Sequence, residues 1–235
     1  MYNYVLIPGA WLGGWVWNKV DRILLSNGHN AFPITLTGMG ERVHLASPEI
    51  GMKTAIEDVI NVIKFNDLQN IILVGHSFAG KVAAAVVDRV PERISLVVYL
   101  DSFRPEDTRD PQGSFDPVQE FGPLNKGSFA VPFSEMILGN IGKDVIGRNK
   151  KWMIDKCTPW PIKLATDPIT LSRSPDRFKT AYIFCTLSGD PVDEIIQGKW
   201  GKLIGPYRTM ETGHYPMVTK PDELARHLLE LPEIS

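Results

Sequence analysis

At Ile71-Ile72-Leu73-Val74-Gly75-His76-Ser77-Phe78-Ala79-Gly80 the sequence passes from an apolar run straight into a helical pattern. A short apolar run bounded by glycine is typical of a strand buried on both faces. The Ala- and Val-rich stretch 79–89, ended by Pro91, predicts a helix. A serine on such a sharp strand-to-helix turn presents its hydroxyl above the sheet. Ser77 is therefore a candidate nucleophile.

The turn departs from the pattern Gly-x-Ser-x-Gly in one position. Ala79 stands where the second glycine is usual, but alanine keeps that position small, and Gly80 follows it. The simpler alternative is that Ser77 only caps the helix. His76 is adjacent in sequence, and on so tight a turn we expect its side chain to point away from the reacting atoms.

The chain on either side alternates short apolar runs with helical patterns. Strands are predicted at 4–7, 29–33, 70–74, 95–100, 181–186 and 207–211. Helices are predicted at 15–25, 53–64, 79–89 and 222–229. This alternation predicts an α/β fold with a mostly parallel sheet of about six strands and helices on both faces.

One long segment interrupts this alternation. Residues 104–178, here called the cap segment, contain many Pro and Gly residues and few strand signals. A loop of that length without its own structure is uncommon in a compact domain. We therefore expect an inserted cap or lid, with short helices near 132–138 and 143–155, between core segments 1–103 and 179–235.

Composition excludes several classes of protein. The chain has 235 residues, 43% of them apolar, and a net charge of −2, which argues against a nucleic-acid partner. Cys157 and Cys185 are too few for a disulfide framework and lack metal-site spacing. No signal-peptide pattern and no membrane-spanning run is evident. We expect a cytoplasmic protein with no metal, no cofactor and no membrane partner, and a homodimer stays open.

A serine nucleophile needs a base, and on this kind of sheet the chain order is Ser, acid, His. His214 lies in a loop directly after the weak last strand, and is the predicted base. Chain order excludes the three histidines that precede or adjoin the serine: His29, His44 and His76. His227 belongs to the terminal helix, where we expect it at the surface.

The acid that orients the base has three candidates. Asp190 follows the strand predicted at 181–186, and Asp101 ends the strand predicted at 95–100. We favour Asp190, with Asp101 and then Asp193 as alternatives. Asp101 could instead have a structural role at the base of the cap.

Two backbone N–H groups are needed to stabilise the oxyanion of acyl transfer. One is expected from Phe78, the residue after the nucleophile. The other is expected from Ala10, or alternatively Trp11, in the glycine-rich turn 8–14 after the first strand. Glycines there let backbone approach a ligand closely, although they could serve as a connection only.

The motifs together are similar to those of a known family. They are 6–17, 36–45, 75–80, 99–103 and Gly213-His214. The chain resembles the α/β-hydrolase group of plant methyl-ester esterases and hydroxynitrile lyases, and more closely their bacterial esterase relatives. The resemblance implies Ser77 as nucleophile, His214 as base, and Ala10 and Phe78 as oxyanion donors.

This sequence departs from the plant pattern in three positions. Pro8 stands where many members of the group have histidine, and Leu12 stands where the plant members have a second histidine. The plant group has its acid at a position that matches Ser188 here rather than Asp190. The acid is therefore the part of the triad for which the resemblance gives no residue.

These observations favour a serine esterase that cleaves a small carboxylic ester through an acyl-enzyme. Aromatic residues suggest an apolar or aromatic substrate pocket, although they could simply form the core of the cap: Trp11, Phe115, Phe129, Phe133, Trp152 and Trp160. One alternative is a hydroxynitrile-lyase-like enzyme, which would need a cation in the cap, such as Lys150, Lys151 or Lys156. Another is a ligand-binding protein without catalysis.

Overall fold

A computed structural model describes residues 1–102, 104–105, 127–189, 192–197 and 203–234. Its centre is a six-stranded sheet in the order β2-β1-β3-β4-β7-β8, and every neighbouring pair is parallel. The six strands are β1 (Asn3–Ile7), β2 (Asn30–Pro33), β3 (Ile71–His76), β4 (Ile94–Leu100), β7 (Thr180–Cys185) and β8 (Tyr207–Met210). The predicted parallel sheet is confirmed.

Helices cover both faces of the sheet, as expected. The α-helices of the described residues are α1 (Asn18–Ser26), α2 (Met52–Phe65), α3 (Ala79–Arg89), α4 (Glu135–Ile141), α5 (Gly147–Lys156), α6 (Lys163–Thr166), α7 (Val192–Ile196), α8 (Pro216–Thr219) and α9 (Pro221–Ile234). Short 3-10 helices occur at Gly14–Trp17, Gly40–Leu45, Pro91–Arg93 and Pro175–Arg177.

The sheet separates two hydrophobic clusters. One lies under α2 and α3 and includes Val59, Val82 and Leu73, and the other lies under α1 and α9 and includes Leu24, Leu228 and Ile72. Alternate residues of β3 thus point into opposite clusters, which is why that strand reads as a continuous apolar run.

The described part of the cap segment contains helices and a small ribbon. Strands β5 (Ala130–Val131) and β6 (Trp160–Pro161) pair antiparallel, which the sequence pattern did not predict. Helix α4 begins three residues later than expected because the side chain of Ser134 accepts a hydrogen bond from the N–H of Ile137 and caps it. Helix α5 likewise begins at Gly147 rather than at 143.

The described residues include no helix long and apolar enough to cross a bilayer. His227, expected at the surface, is buried on the inner face of α9. The hydrophobic face of that helix includes Leu224, Leu228 and Leu231, so a residue at position 227 lies on the same side.

Candidate active site

Ser77 lies at the carboxyl end of β3 on the predicted strand-to-helix turn. Its φ of 57° is in the left-handed region, which non-glycine residues adopt rarely and mainly at functional sites. Its N–H donates to the carbonyl of Leu100 at 3.1 Å. A Cβ at Gly75 would lie 2.6 Å from the carbonyl oxygen of Ala79, so the turn tolerates only glycine there.

His214 is held against a buried carboxylate. Its Nδ1 lies 2.6 Å from Oδ2 of Asp101, and only 4% of Asp101 is exposed. A carboxylate can only accept, so Nδ1–H is the donor and the neutral ring carries its lone pair on Nε2. The second carboxylate oxygen accepts the N–H of Cys185 at 2.8 Å and lies 3.4 Å from the Ser188 hydroxyl, which donates to the carbonyl of Cys185 at 2.8 Å.

These contacts determine the charge of Asp101. Burial by itself would raise the pKa of the carboxyl, but the hydrogen bond from His214, electrostatic attraction to that ring and the N–H of Cys185 outweigh it. The pKa of Asp101 is therefore held below its ordinary value. Asp101 is a carboxylate at neutral pH and is suited to stabilise an imidazolium.

The sheet explains why Asp101 reaches His214. Strand β4 lies between β3, which leads to Ser77, and β7, which is the neighbour of β8. The N–H of Asp101 donates to the carbonyl of Ile183 at 2.7 Å, which extends the pairing of β4 with β7 by one residue. The carboxylate is thereby directed toward the loop after β8.

The other acid candidates lie elsewhere or outside the described residues. Asp190, the favoured residue in the sequence analysis, belongs to the residues that the structure does not describe. Asp193 is exposed in the first turn of α7. Of the three candidates, Asp101 is the one that the structure places on His214.

His76 connects two loops of the site, a role that the sequence analysis missed. Its Nδ1 accepts the N–H of Gly9 at 3.2 Å, and its Nε2 donates to the carbonyl of His214 at 2.7 Å. The side chain is fully buried, and its ring centroid lies 4.7 Å from that of His214. No local signal identifies this role, because both partners are distant in sequence.

The burial of His76 has a consequence for stability. Burial, followed by the nearby charge of His214, lowers the pKa of His76 from 6.5 to about 3. The unfolded chain takes up this proton as pH falls below about 6.5 while the folded chain does not, so the folded state loses stability. We expect the free energy of unfolding to fall by up to about 1.4 kcal/mol per pH unit from this group.

His76→Gln keeps one donor and one acceptor but does not titrate. Between about pH 6 and 4, urea unfolding of this variant should therefore show a shallower dependence on pH than wild type, by about one proton. His29 and His227, whose pKa values are also lowered by burial, are present in both proteins and cancel. Equal slopes in the two proteins would show that His76 is protonated in the folded state.

The two predicted oxyanion donors lie beside Ser77. Ala10 and Phe78 both line the same cavity as Ser77 and His214. Phe78 is the residue before the first turn of α3, where backbone N–H groups have no partner within the helix. A Cβ at Gly9 would lie 3.1 Å from Cβ of Ser77, so glycine allows the Ala10 loop to approach the serine.

Trp11, the alternative donor, anchors this loop to the cap segment. Its φ is 65°, its carbonyl accepts the N–H of Thr158 at 3.0 Å, and its indole N–H donates to the carbonyl of Val131 at 3.0 Å. The conformation of the loop that carries Ala10 thus depends on the cap segment.

The cavity has a volume of about 320 Å³. The apolar and aromatic residues that line it are Ala10, Trp11, Phe78, Ile141, Trp160, Leu164, Ala165 and Tyr215. The other described lining residues are His76, Ser77, Lys81 and His214. The ring of Trp160 lies 5.2 Å from that of Phe78 and 5.5 Å from that of Trp11, measured between centroids. These three rings form an aromatic wall close to Ser77.

Two of the predicted pocket residues line the cavity. Trp11 and Trp160 line the cavity, whereas Phe133 packs against Trp11 at 5.8 Å. Trp152 lies elsewhere, because α5 turns it toward Trp15, whose ring it meets edge-on at 4.9 Å. Phe129 is partly exposed, and Phe115 lies outside the described residues. Within the described part of the chain, no three His, Cys, Asp or Glu side chains are placed to hold a metal.

Comparison with known proteins identifies the class. The model of the "Alpha/beta hydrolase family" matches residues 4–227, so the chain belongs to this family. A carbendazim hydrolyzing esterase of Nocardioides sp. (strain SG-4G) is 29% identical, covering 98% of this chain and 100% of the relative. Methylesterase 9 of Arabidopsis thaliana is 23% identical, with 98% of each chain covered.

Solved structures agree on the fold. An extracellular alpha/beta-hydrolase from a Paenibacillus species superposes with a TM-score of 0.82 at 18% identity, covering 98% of both chains. Tomato methylketone synthase I superposes with a TM-score of 0.80 at 20% identity, covering 99% of this chain and 97% of the other.

Proposed function

We propose that this protein is a carboxylic-ester hydrolase with Ser77, His214 and Asp101 as its triad. The observation that carries the proposal is the 2.6 Å contact of His214 Nδ1 with the buried Asp101 carboxylate, at a cavity that Ser77 also lines. This contact leaves Nε2 of His214 available to take a proton from a serine hydroxyl. It also favours Asp101 over the alternatives for the acid.

The proposed reaction has two halves. His214 takes the proton of the Ser77 hydroxyl as Oγ attacks the ester carbonyl, and the oxyanion accepts the N–H groups of Ala10 and Phe78. The leaving alcohol then receives the proton from His214, and an acyl-enzyme remains on Ser77. Water then attacks the acyl group while His214 takes its proton, and His214 returns that proton to Oγ of Ser77 as the bond to the acyl group breaks and the acid leaves.

The cavity supports a small apolar or aromatic ester as substrate. A volume of about 320 Å³ lies at the lower end of ligand pockets, and its aromatic wall would pack against a planar acyl group or alcohol. The names of relatives, a carbendazim hydrolyzing esterase and a methylesterase, support small esters and related carbonyl compounds.

The lyase alternative has weaker support. It would need a cation beside the leaving anion, but Lys150 pairs with Glu135 and Lys151 with Asp155 on the surface of the cap segment. Lys156 lies over the rings of Trp15 and Trp152. Among the described residues that line the cavity, Lys81 is the one lysine or arginine, and it is the candidate for that cation.

A substrate panel tests the reaction class. We expect turnover of p-nitrophenyl acetate and of small aromatic methyl esters, and no release of cyanide from mandelonitrile. His214→Ala should lose ester turnover by a factor of about 10³ or more, because the hydroxyl then has no base. Cyanide release without ester turnover would support the lyase, and failure of every substrate would support a ligand-binding protein.

A further inference from the structure

We propose that Asp144, in the cap segment, is a positioning residue for the base His214. This inference rests on the proposed function, because it assumes that the orientation of His214 sets the rate of the reaction. Asp144 lies in the connection between α4 and α5, and contacts the two residues that precede His214 in its loop.

The loop that carries His214 has little structure of its own. Residues 211–215 connect β8 to α8 without helix or strand, so their backbone polar groups need partners from elsewhere. The cap segment supplies several of them, while the N–H of Leu187, from the core, donates to the carbonyl of Thr212 at 3.0 Å. Oδ2 of Asp144 accepts the hydroxyl of Thr212 at 2.6 Å and the N–H of Gly213 at 2.9 Å. The carbonyl of Ile141 accepts the N–H of His214 at 2.8 Å.

Gly213 shows how closely the two segments pack. A Cβ at this position would lie 2.4 Å from Oδ1 of Asp144 and 3.0 Å from the carbonyl oxygen of Ile141. A larger residue before the base would therefore displace the Asp144 carboxylate and crowd the carbonyl of Ile141. Oδ1 of Asp144 is itself buried and has no hydrogen-bond partner among the described residues, so Oδ2 makes both contacts to the loop.

Three hydrogen bonds hold His214 itself. Its N–H is held by Ile141, its carbonyl by His76 and its Nδ1 by Asp101. Asp144 holds the two residues that precede His214, Thr212 and Gly213, through hydrogen bonds to its carboxylate. Hydrogen bonds to a charged acceptor are stronger than neutral ones. Because a misplacement of about 1 Å can cost a factor of about 10² in rate, loss of this anchor should lower kcat.

The test compares Asp144→Ala and Asp144→Asn in the full chain. We expect Asp144→Ala to lower kcat about 10- to 100-fold with KM changed by less than about threefold. Asp144→Asn should retain most activity, because its amide oxygen can accept both hydrogen bonds. Thr212→Val replaces the hydroxyl by a methyl group of similar size and should give an intermediate loss, and Thr219→Val is its control, because the Thr212 hydroxyl also lies 2.7 Å from that of Thr219. Asp155→Ala is the matched control, since this carboxylate lies on α5 and, among the described residues, pairs with the exposed Lys151.

A second readout does not depend on turnover. The low-field NMR resonance of the His214 Nδ1 proton reports its hydrogen bond to Asp101, and we expect it to broaden or disappear in Asp144→Ala but not in Asp155→Ala. An unchanged kcat and resonance in Asp144→Ala, with only a lower Tm, would overturn the inference. A wild-type protein with this resonance but without esterase activity would overturn the proposed function, and the effect of Asp144→Ala on the resonance would still decide the positioning role.

Discussion

Ser77→Ala is expected to lower ester turnover by a factor of about 10⁴ to 10⁶ and to abolish covalent labelling by a fluorophosphonate probe. The proposed reaction needs the Oγ atom both as nucleophile and as acyl carrier, and Ser77 is the one serine, threonine or cysteine among the described residues that line the cavity. The remaining rate would come from the oxyanion donors and from substrate binding. Steady-state kinetics and gel fluorescence of labelled protein measure the two effects.

Ser26→Ala is the matched control, because Ser26 is an exposed serine at the end of α1 whose hydroxyl donates to the carbonyl of Ile23 in its own helix. It should label and turn over at the wild-type rate. Ser77→Ala should keep a wild-type circular dichroism spectrum, since it removes one hydroxyl from a turn whose backbone is unchanged. Persistent labelling or turnover in Ser77→Ala would show that the nucleophile is another residue.

Asp101→Asn is expected to lower kcat by a factor of about 10⁴ with little change in KM. The asparagine side chain can donate to Nδ1, which would place the imidazole proton on Nε2 and leave no base for Ser77. It also removes the negative charge that stabilises the imidazolium. Asp190→Asn should change kcat by less than about threefold, because Nδ1 of His214 is already occupied by Asp101.

The comparison of these two variants decides the acid. A large loss in Asp190→Asn together with a small one in Asp101→Asn would assign the role to Asp190. The Tm of both variants should be measured. The reason for Asp101→Asn is that Asp101 also accepts the N–H of Cys185 at 2.8 Å. An asparagine oxygen can still accept that hydrogen bond, so we expect only a modest decrease in Tm.

Much of the fold could be predicted because its signals are local. Helix α3 occupies Ala79–Arg89, the range expected from the alanine-rich stretch and from the proline that follows. Apolar runs identified all six strands of the sheet to within one or two residues. The β5–β6 ribbon was missed because two-residue strands carry no periodic pattern. The start of α4 was predicted too early because the cap formed by the Ser134 side chain, which sets the first residue of the helix, was not recognised.

The candidate site was predictable in part. Chain order and the strand-to-helix turn were sufficient to single out Ser77 and His214. The glycine-rich turn after β1 was sufficient to single out the region of Ala10. Trp152 was assigned to the pocket by residue type alone, and residue type carries no information about the face of α5 on which it lies.

The turn at Ser77 and the order of strands and helices follow from the sequence by itself, since each depends on neighbours within a few residues. Only the tertiary structure decided which described carboxylate reaches His214, because Asp101 and His214 are 113 residues apart. Their contact depends on β4 lying between β3 and β7 and on the hydrogen bond from the N–H of Asp101 to the carbonyl of Ile183. The same holds for His76 and Asp144. Both hold the His214 loop through contacts across more than 60 residues, and such contacts are set by the packing of strands, loops and cap rather than by any local pattern.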